Sequence, residues 1–198
     1  MTQPLKVWFL ASEVAPFAKT GGLADVAGSL PACLKNLGVD IRVGLPFYRT
    51  VKDGSFEIKK SFEGLEVPLG DTILRGDILE TSTEEGIPVY LFDREDFFGR
   101  PGLYGTPKGD YPDNLERFSY FCRAALLFAK ELPRLANRID PRLSKNPFQG
   151  RSFLLGCCLG HDRSQLGVPR AFSCRQAFHL RPSSHRVPSG RHRILGQD

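Results

Sequence analysis

A short apolar run, Val7-Trp8-Phe9-Leu10-Ala11, is followed first by a loop ending in Gly21-Gly22, then by a helical stretch, then by a second apolar run from Val39 to Leu45. Such short runs suit strands buried on both faces of a parallel sheet. Between them Leu23, Val26, Ala27, Leu30, Leu34 and Leu37 recur at helical spacing. They predict a helix from about Leu23 to Asn36 whose apolar stripe packs on the sheet. Pro31 lies inside that span and predicts a kink or a loosened first half. Gly38 stops the helix. Strand, helix and strand together form a β-α-β unit, the seed of a doubly wound α/β sheet.

The alternation continues downstream. Phe56–Val67 and Thr72–Leu79 predict a hairpin-like pair of exposed strands, and Ile87 to Phe92 returns to a buried one. A loop rich in Gly, Pro and Tyr spans Phe98 to Pro112. Asp113 then predicts a helix N-cap, with Glu116 three residues on as its capping-box partner. Leu115, Phe118, Cys122, Ala125, Leu126 and Ala129 are the predicted buried stripe of that helix.

Charge divides the chain. Residues 1–133 carry 15 Lys and Arg against 19 Asp and Glu, whereas residues 134–198 carry 12 against 3. All four histidines and 11 of the 18 arginines fall in the second segment. Its Pro, Ser and Arg residues lack any sustained period, while Phe153-Leu154-Leu155-Gly156-Cys157-Cys158-Leu159 is too apolar for an ordinary disordered tail. The expected organisation is an α/β domain over 1–133 and a basic, irregular tail over 134–198, read as an out-of-frame translation. The five cysteines, Cys33, Cys122, Cys157, Cys158 and Cys174, show no framework spacing and read as reduced thiols.

The chemistry-bearing stretch is Ser12-Glu13-Val14-Ala15-Pro16-Phe17-Ala18-Lys19-Thr20-Gly21-Gly22-Leu23-Ala24-Asp25-Val26. Paired glycines allow positive φ and close approach to a ligand. The helix N-terminus beyond them offers unpaired N–H groups and a positive dipole end. Lys19 adds a mobile ammonium with three donors. Together they suit a diphosphate at the carboxyl edge of a parallel sheet. Spacing alone does not separate this from a plain β-α turn beside a solvated lysine, and the pattern is neither a Walker loop nor a Gly-x-Gly-x-x-Gly fingerprint.

The motif Lys-Thr-Gly-Gly-Leu-Ala-Asp-Val at 19–26, after the strand exit Ser12-Glu13-Val14-Ala15-Pro16, resembles the opening of bacterial glycogen synthases and plant starch synthases. Pro88 to Asp93, Leu103-Tyr104-Gly105 and Asp110 to Phe118 resemble the same family in the same order. The resemblance implies a GT-B glycosyltransferase, in which two Rossmann-like domains face each other across a cleft; residues 1–133 would be an incomplete N-terminal one. It implies transfer of glucose from ADP-glucose to the nonreducing end of an α-1,4-glucan with retention, with no cofactor and no obligatory metal. On that resemblance Lys19 binds ADP-glucose, and Gly21 and Gly22 bring backbone N–H groups to the sugar-phosphate. Asp25 contacts the donor glucose, orders the loop, or merely suits the helix dipole. Tyr104 lines the sugar site or is an ordinary loop aromatic. Asp113 and Asn114 read as helix caps, and Glu116 and Arg117 as structural, Arg117 in a surface pair of little worth.

Departures from the family pattern bound the activity. Its His-Asp-Trp, reached at the end of a strand, has no counterpart here: His161-Asp162 is followed by Arg163 and is taken as coincidence. The second GT-B domain has no room, so no catalytic residue is assigned, the chain alone is expected to be inactive, and the unfinished sheet is expected to show an unpaired edge. A rival reading is a noncatalytic nucleotide-sugar or glucan-binding fragment. Nucleic-acid binding through the arginine-rich tail is disfavoured, since no recognition module accompanies it. Metal binding by Cys157, Cys158, Cys174 and His161 lacks Cys-x-x-Cys spacing. Glu13 interrupts the opening apolar run too early for a signal peptide, and no run approaches the ~20 residues of a membrane span, so no membrane partner is expected and the cytoplasm is the default compartment.

Overall fold

Strand β1 (Lys6–Ala11) lies parallel to β2 (Asp40–Pro46), with helix α1 (Gly22–Asn36) crossing between them. The structure, a computed structural model, describes residues 4–132 and the backbone of residues 156–158. The chain divides into units 1–161 and 162–198, of which the second falls entirely outside the described residues. The other elements are the short helix α2 (Arg49–Lys52), β3 (Lys59–Leu69), β4 (Thr72–Ser82), β5 (Pro88–Asp93), the short helix α3 (Glu95–Phe98), the two-residue strands β6 (Gly105–Thr106) and β7 (Gly109–Asp110), α4 (Asn114–Phe128) and β8 (Gly156–Cys158). The main sheet has the order β3-β4-β5-β2-β1-β8. Its centre is parallel, and β3 and β4 run antiparallel at one end.

The predicted hairpin therefore forms, but it is not an exposed pair. β4 pairs with β5 along six residues, which makes the hairpin part of the main sheet and buries Leu65, Val67 and Ile78. β1 is flanked on both sides, by β2 and by β8, so the expected unpaired edge is not at the motif-bearing strand. Gly156–Cys158 places a strand shortly before His161, where sequence reading saw none; His161 and Asp162 themselves lie outside the described residues.

α4 covers the sheet with Tyr120, Phe121, Ala124, Ala125 and Phe128, all buried. The indole N–H of Trp8 donates to the Ala125 carbonyl at 3.2 Å, tying β1 to α4. Phe128 meets Tyr90 edge-on with ring centroids 5.1 Å apart and Phe92 at 5.9 Å, geometries that aromatic pairs favour. Gly44 makes room for this packing: a Cβ there would sit 2.5 Å from Leu10 Cδ2 and 3.0 Å from the Trp8 ring.

Both predicted helices form at nearly the predicted bounds, and each predicted stripe is met in part: Ala27 and Ala125 are buried, and Leu34, Phe118, Cys122 and Ala129 pack against the core. In α1 the buried residues are Ala24, Ala27 and Pro31, while Val26, Leu30 and Leu37 are exposed. Small side chains let the helix settle close to its neighbours, and the larger apolar ones are left outward. Pro31 sits inside a helix that runs on for 15 residues. In α4 Leu115 and Leu126 face outward. Among the described residues no helix is long and apolar enough to cross a membrane.

Candidate donor-binding loop

β1 ends in buried Leu10 and Ala11 and delivers two buried polar residues, Ser12 and Glu13, to the carboxyl edge of the sheet. A buried carboxylate needs hydrogen bonds to replace its water, and Glu13 has four. The Thr20 N–H donates to Oε2 at 2.6 Å and the Thr20 hydroxyl to Oε1 at 2.7 Å. The Gly21 N–H donates to Oε2 at 3.3 Å and the Tyr104 hydroxyl to Oε1 at 2.7 Å. Burial pushes the Glu13 carboxyl up, but these donors favour its charged form and together hold it below the ordinary value of 4.5.

The loop between Glu13 and Thr20 is closed on itself. Val14 and Ala18 exchange backbone hydrogen bonds of 3.1 and 2.9 Å, and buried Phe17 packs on Phe56 with centroids 4.7 Å apart. The loop also rests directly on α1. The Ala15 N–H donates to the Ala24 carbonyl at 3.0 Å, and a Cβ on Gly28 would come within 2.8 Å of the Ala15 carbonyl oxygen.

Lys19 stands on this closed loop with its side chain 53% exposed, and its ammonium pairs with Asp25 Oδ1 at 2.7 Å. Asp25 is in the first turn of α1 and is itself 59% exposed. The pair is open to solvent on both sides, so it holds the ammonium weakly and leaves it available to another anion. Gly21 is the N-cap of α1 and Gly22 its first residue. The expected positive φ is not found: Gly21 is extended, at φ −154°, and neither glycine is in the left-handed region. A Cβ added to either would meet nothing within 4 Å. Neither backbone conformation nor internal packing therefore demands glycine here, and the space in front of both is open. The Gly21 N–H is turned to Glu13, so it is the Gly22 amide that stands in the first turn of α1 with no side-chain cap on the helix end.

Tyr104 reaches the loop from 91 residues downstream. Its ring packs on Phe118 at 5.7 Å, and its hydroxyl lies 3.0 Å from Ser12 Oγ as well as bonding Glu13. Burial foremost raises its pKa, so the phenol stays a donor. Asn114 Nδ2 donates to the Tyr104 carbonyl at 2.8 Å, and Asn114 Oδ1 accepts from Arg117 at 2.6 Å. Arg117 corrects the expectation of a surface pair. It is fully buried and also donates to the carbonyls of Phe97 at 2.6 Å and Leu103 at 3.0 Å. Its guanidinium lies 4.9 Å from the Tyr111 ring centroid, and burial foremost lowers its pKa. The predicted capping box is corrected too. Asp113 holds the N-cap position, but its carboxylate is a bidentate partner of Arg100, at 2.8 and 2.6 Å, and makes no cap bond.

The structure thus draws Gly21 and Tyr104 together through Glu13, and Lys19 to Asp25. Glu13 and Arg117 are the residues that sequence reasoning missed. A carboxylate immediately after a buried strand was the available signal for Glu13. Two surface grooves among the described residues, of about 450 and 310 Å³, lie at Leu69, Pro112 and Leu115 and at Arg75, Asp77 and Asp93, away from the loop residues. The Lys19 loop presents a solvent-exposed ammonium and two exposed glycines at the start of α1. Such an arrangement can receive an anion on one side and needs an opposing wall to enclose a substrate.

Residues 6–141 match the family model of the starch synthase catalytic domain. Glycogen synthase 2 of Geobacter metallireducens is 48% identical over 128 residues, covering 65% of this chain and 26% of that protein. The glycogen synthase of Geotalea daltonii is likewise 48% identical over 128 residues, with the same shares. Among solved structures, the catalytic domain of starch synthase IV from Arabidopsis thaliana bound to ADP and acarbose is similar, with a TM-score of 0.56 and 31% identity, over 64% of this chain and 25% of that one. The chain spans about a quarter of the length of the curated relatives it matches.

Proposed function

The chain belongs to the starch synthase catalytic domain family, and from that membership we propose that its Lys19–Asp25 segment is the donor loop of a glucosyltransferase. The reaction moves glucose from ADP-glucose to the nonreducing end of an α-1,4-glucan such as glycogen, with retention. The compartment we assign is the cytoplasm, and the partners are ADP-glucose and the glucan.

One observation carries this reading. Gly21 and Gly22 are glycines with open space before them and no conformational need to be glycine, beside a lysine held only by a solvent-exposed carboxylate. That arrangement suits the close approach of a diphosphate to a helix N-terminus. In the reaction the bond between the glucosyl C1 and the diphosphate oxygen breaks, a bond from C1 to the acceptor oxygen forms as that hydroxyl gives up its proton to the leaving diphosphate or to solvent, and negative charge gathers on the departing ADP. Lys19 and the Gly22 amide meet that charge as it develops, so they stabilise the transition state more than the bound donor. Asp25 holds Lys19 at rest and is released to the donor glucose or to solvent when the ammonium turns to phosphate. Tyr104 contributes through Glu13, to which its hydroxyl donates.

The matched residues cover about a quarter of the relatives' length, so the expected behaviour of this chain alone is ADP-glucose binding without turnover. The test is titration of ADP-glucose and of ADP into the isotopically labelled chain. Saturable shifts centred on the Lys19, Gly21 and Gly22 amides, lost in Lys19→Ala, support the reading. Shifts elsewhere with that loop silent would remove it. For the basic stretch 134–198, of which only the backbone of 156–158 is described, we propose translation from a shifted frame. The encoding DNA should then resume the family pattern in another frame downstream of the matched residues 6–141, and an open frame with no such continuation would refute it.

A further inference from the structure

The loop carrying Lys19 contributes to catalysis only if it holds its shape before the donor arrives, because ordering it on binding would consume affinity. Lys19 itself does little to order it, being exposed and paired only with exposed Asp25. The glycines that follow are the least constrained residues a chain can have. Order is imposed from below. Glu13 sits 3% exposed beneath the loop and receives both donors of Thr20, the residue between Lys19 and the glycines, together with the Gly21 N–H. Its remaining bond runs to Tyr104, whose carbonyl is held by Asn114, which in turn accepts from fully buried Arg117. A chain of hydrogen bonds therefore links Arg117, in the first turn of α4, to the two backbone amides on either side of the Thr20 Cα.

We infer that Glu13 is a positioning residue that, braced by Tyr104, sets the direction of Lys19 and of the Gly22 amide by clamping Thr20 and Gly21. The inference rests on the donor-loop reading for its purpose, but not for its geometry. Glu13 touches no donor atom in this role; it acts through the backbone it holds. Its carboxylate is suited to the task because charge-assisted bonds to N–H and O–H groups are about twice as strong as neutral ones. Glutamine in its place would present an NH₂ group where one of these donors now points.

The experiment is residue-resolved amide hydrogen exchange on the whole chain, with Glu13→Gln, Tyr104→Phe, Thr20→Val and Thr20→Ser. Exchange at Thr20 and Gly21 is expected to quicken roughly tenfold or more in Glu13→Gln and several-fold in Tyr104→Phe, since hydrogen bonds to a charged group are stronger than neutral ones. Amides of β1 and β2 should keep their protection. Thr20→Ser, which retains the hydroxyl, should behave as wild type, and Thr20→Val should not. Unchanged exchange at Thr20 and Gly21 in Tyr104→Phe and Thr20→Val overturns the inference, even should Glu13→Gln fail to fold. A separate titration with ADP isolates the underlying reading. If exchange quickens as expected but ADP leaves the wild-type loop undisturbed, the clamp stands and the donor assignment falls. If ADP binds at the loop and Tyr104→Phe weakens it several-fold, both stand.

Discussion

Lys19 Nζ and Asp25 Oδ1 are 2.7 Å apart, six residues from each other, and each side chain is more than half exposed. The pair closes the loop over the start of α1 without burying either charge, so the ammonium can exchange one anion for another at small cost. Lys19→Ala should therefore lower affinity for ADP by about tenfold or more, the order expected for losing a charge-assisted bond. Its unfolding midpoint in urea should stay within roughly 0.5 kcal/mol of wild type, as for most surface changes. Asp25→Asn frees the lysine and should leave ADP binding equal or tighter. Matched titration and urea unfolding of the two variants check both statements. Equal loss of affinity and stability in Lys19→Ala would mean that the lysine serves the fold.

Arg117 makes the opposite kind of contact. It is fully buried, and its guanidinium satisfies two carbonyls and the Asn114 side chain at once. Arg117→Ala leaves those acceptors unsatisfied and should destabilise the chain by about 3 kcal/mol or more. Arg117→Lys should recover little of it, because one ammonium cannot reproduce the planar fork. Urea unfolding measures both. A cost near zero for Arg117→Ala would show that the Phe97–Tyr111 segment is held by its aromatic contacts alone.

How far the sequence carried the account depends on which force set each feature. The β-α-β order and both main helices could be read from it, because apolar runs and helical spacing report burial and period directly. The buried faces of the helices could be read only in part. In α1 the larger side chains Val26 and Leu30 dominate any count of apolar positions, yet Ala24, Ala27 and Pro31 are the residues that lie against the fold. Lys19, Gly21 and Gly22 stood out because their motif is contiguous. Glu13 and Arg117 did not, because their partners lie in other elements: Glu13 meets Tyr104 across 91 residues, and Arg117 meets Phe97 across 20. Asp113 shows the same limit from the other side. It has the residue type and position of a cap, and a nearby arginine takes its carboxylate instead.

The Glu13 carboxyl also makes a prediction for pH. Its folded value lies below the ordinary 4.5 because its hydrogen-bond donors outweigh burial. The stability it contributes is complete above about 4.5, the value it takes when unfolded, and is lost as pH falls through its folded value. Glu80 and Asp93, raised foremost by burial, act in the opposite sense, since ionising them costs stability as pH rises through their folded values. Comparing wild type with Glu13→Gln cancels those groups. The difference in urea midpoint should be largest near neutral pH and shrink as pH falls below 4.5 and through the lower folded value. A difference that stays constant down to low pH would show that Glu13 is held by its shape and not by its charge.

Gly28 and Gly22 together separate packing from binding. At Gly28 a Cβ would stand 2.8 Å from the Ala15 carbonyl oxygen, a backbone atom that cannot move aside without displacing the loop. Alanine improves helix propensity by about 1 kcal/mol, but overpacking costs about 1–3 kcal/mol, so Gly28→Ala should be neutral to destabilising. At Gly22, and at Gly21 beside it, an added Cβ meets no protein atom within 4 Å and the backbone is already one that alanine adopts. Gly22→Ala should therefore leave stability unchanged or raise it by up to about 1 kcal/mol, chiefly by restricting the unfolded chain. If that open space belongs to a diphosphate, the same methyl group will obstruct it, and ADP binding should fall about tenfold while the protein becomes no less stable. Thermal unfolding and ADP titration of Gly22→Ala read the two effects separately. A variant as stable as wild type that binds ADP equally well would mean that nothing approaches the helix end closely, and the donor assignment of the loop would fail there.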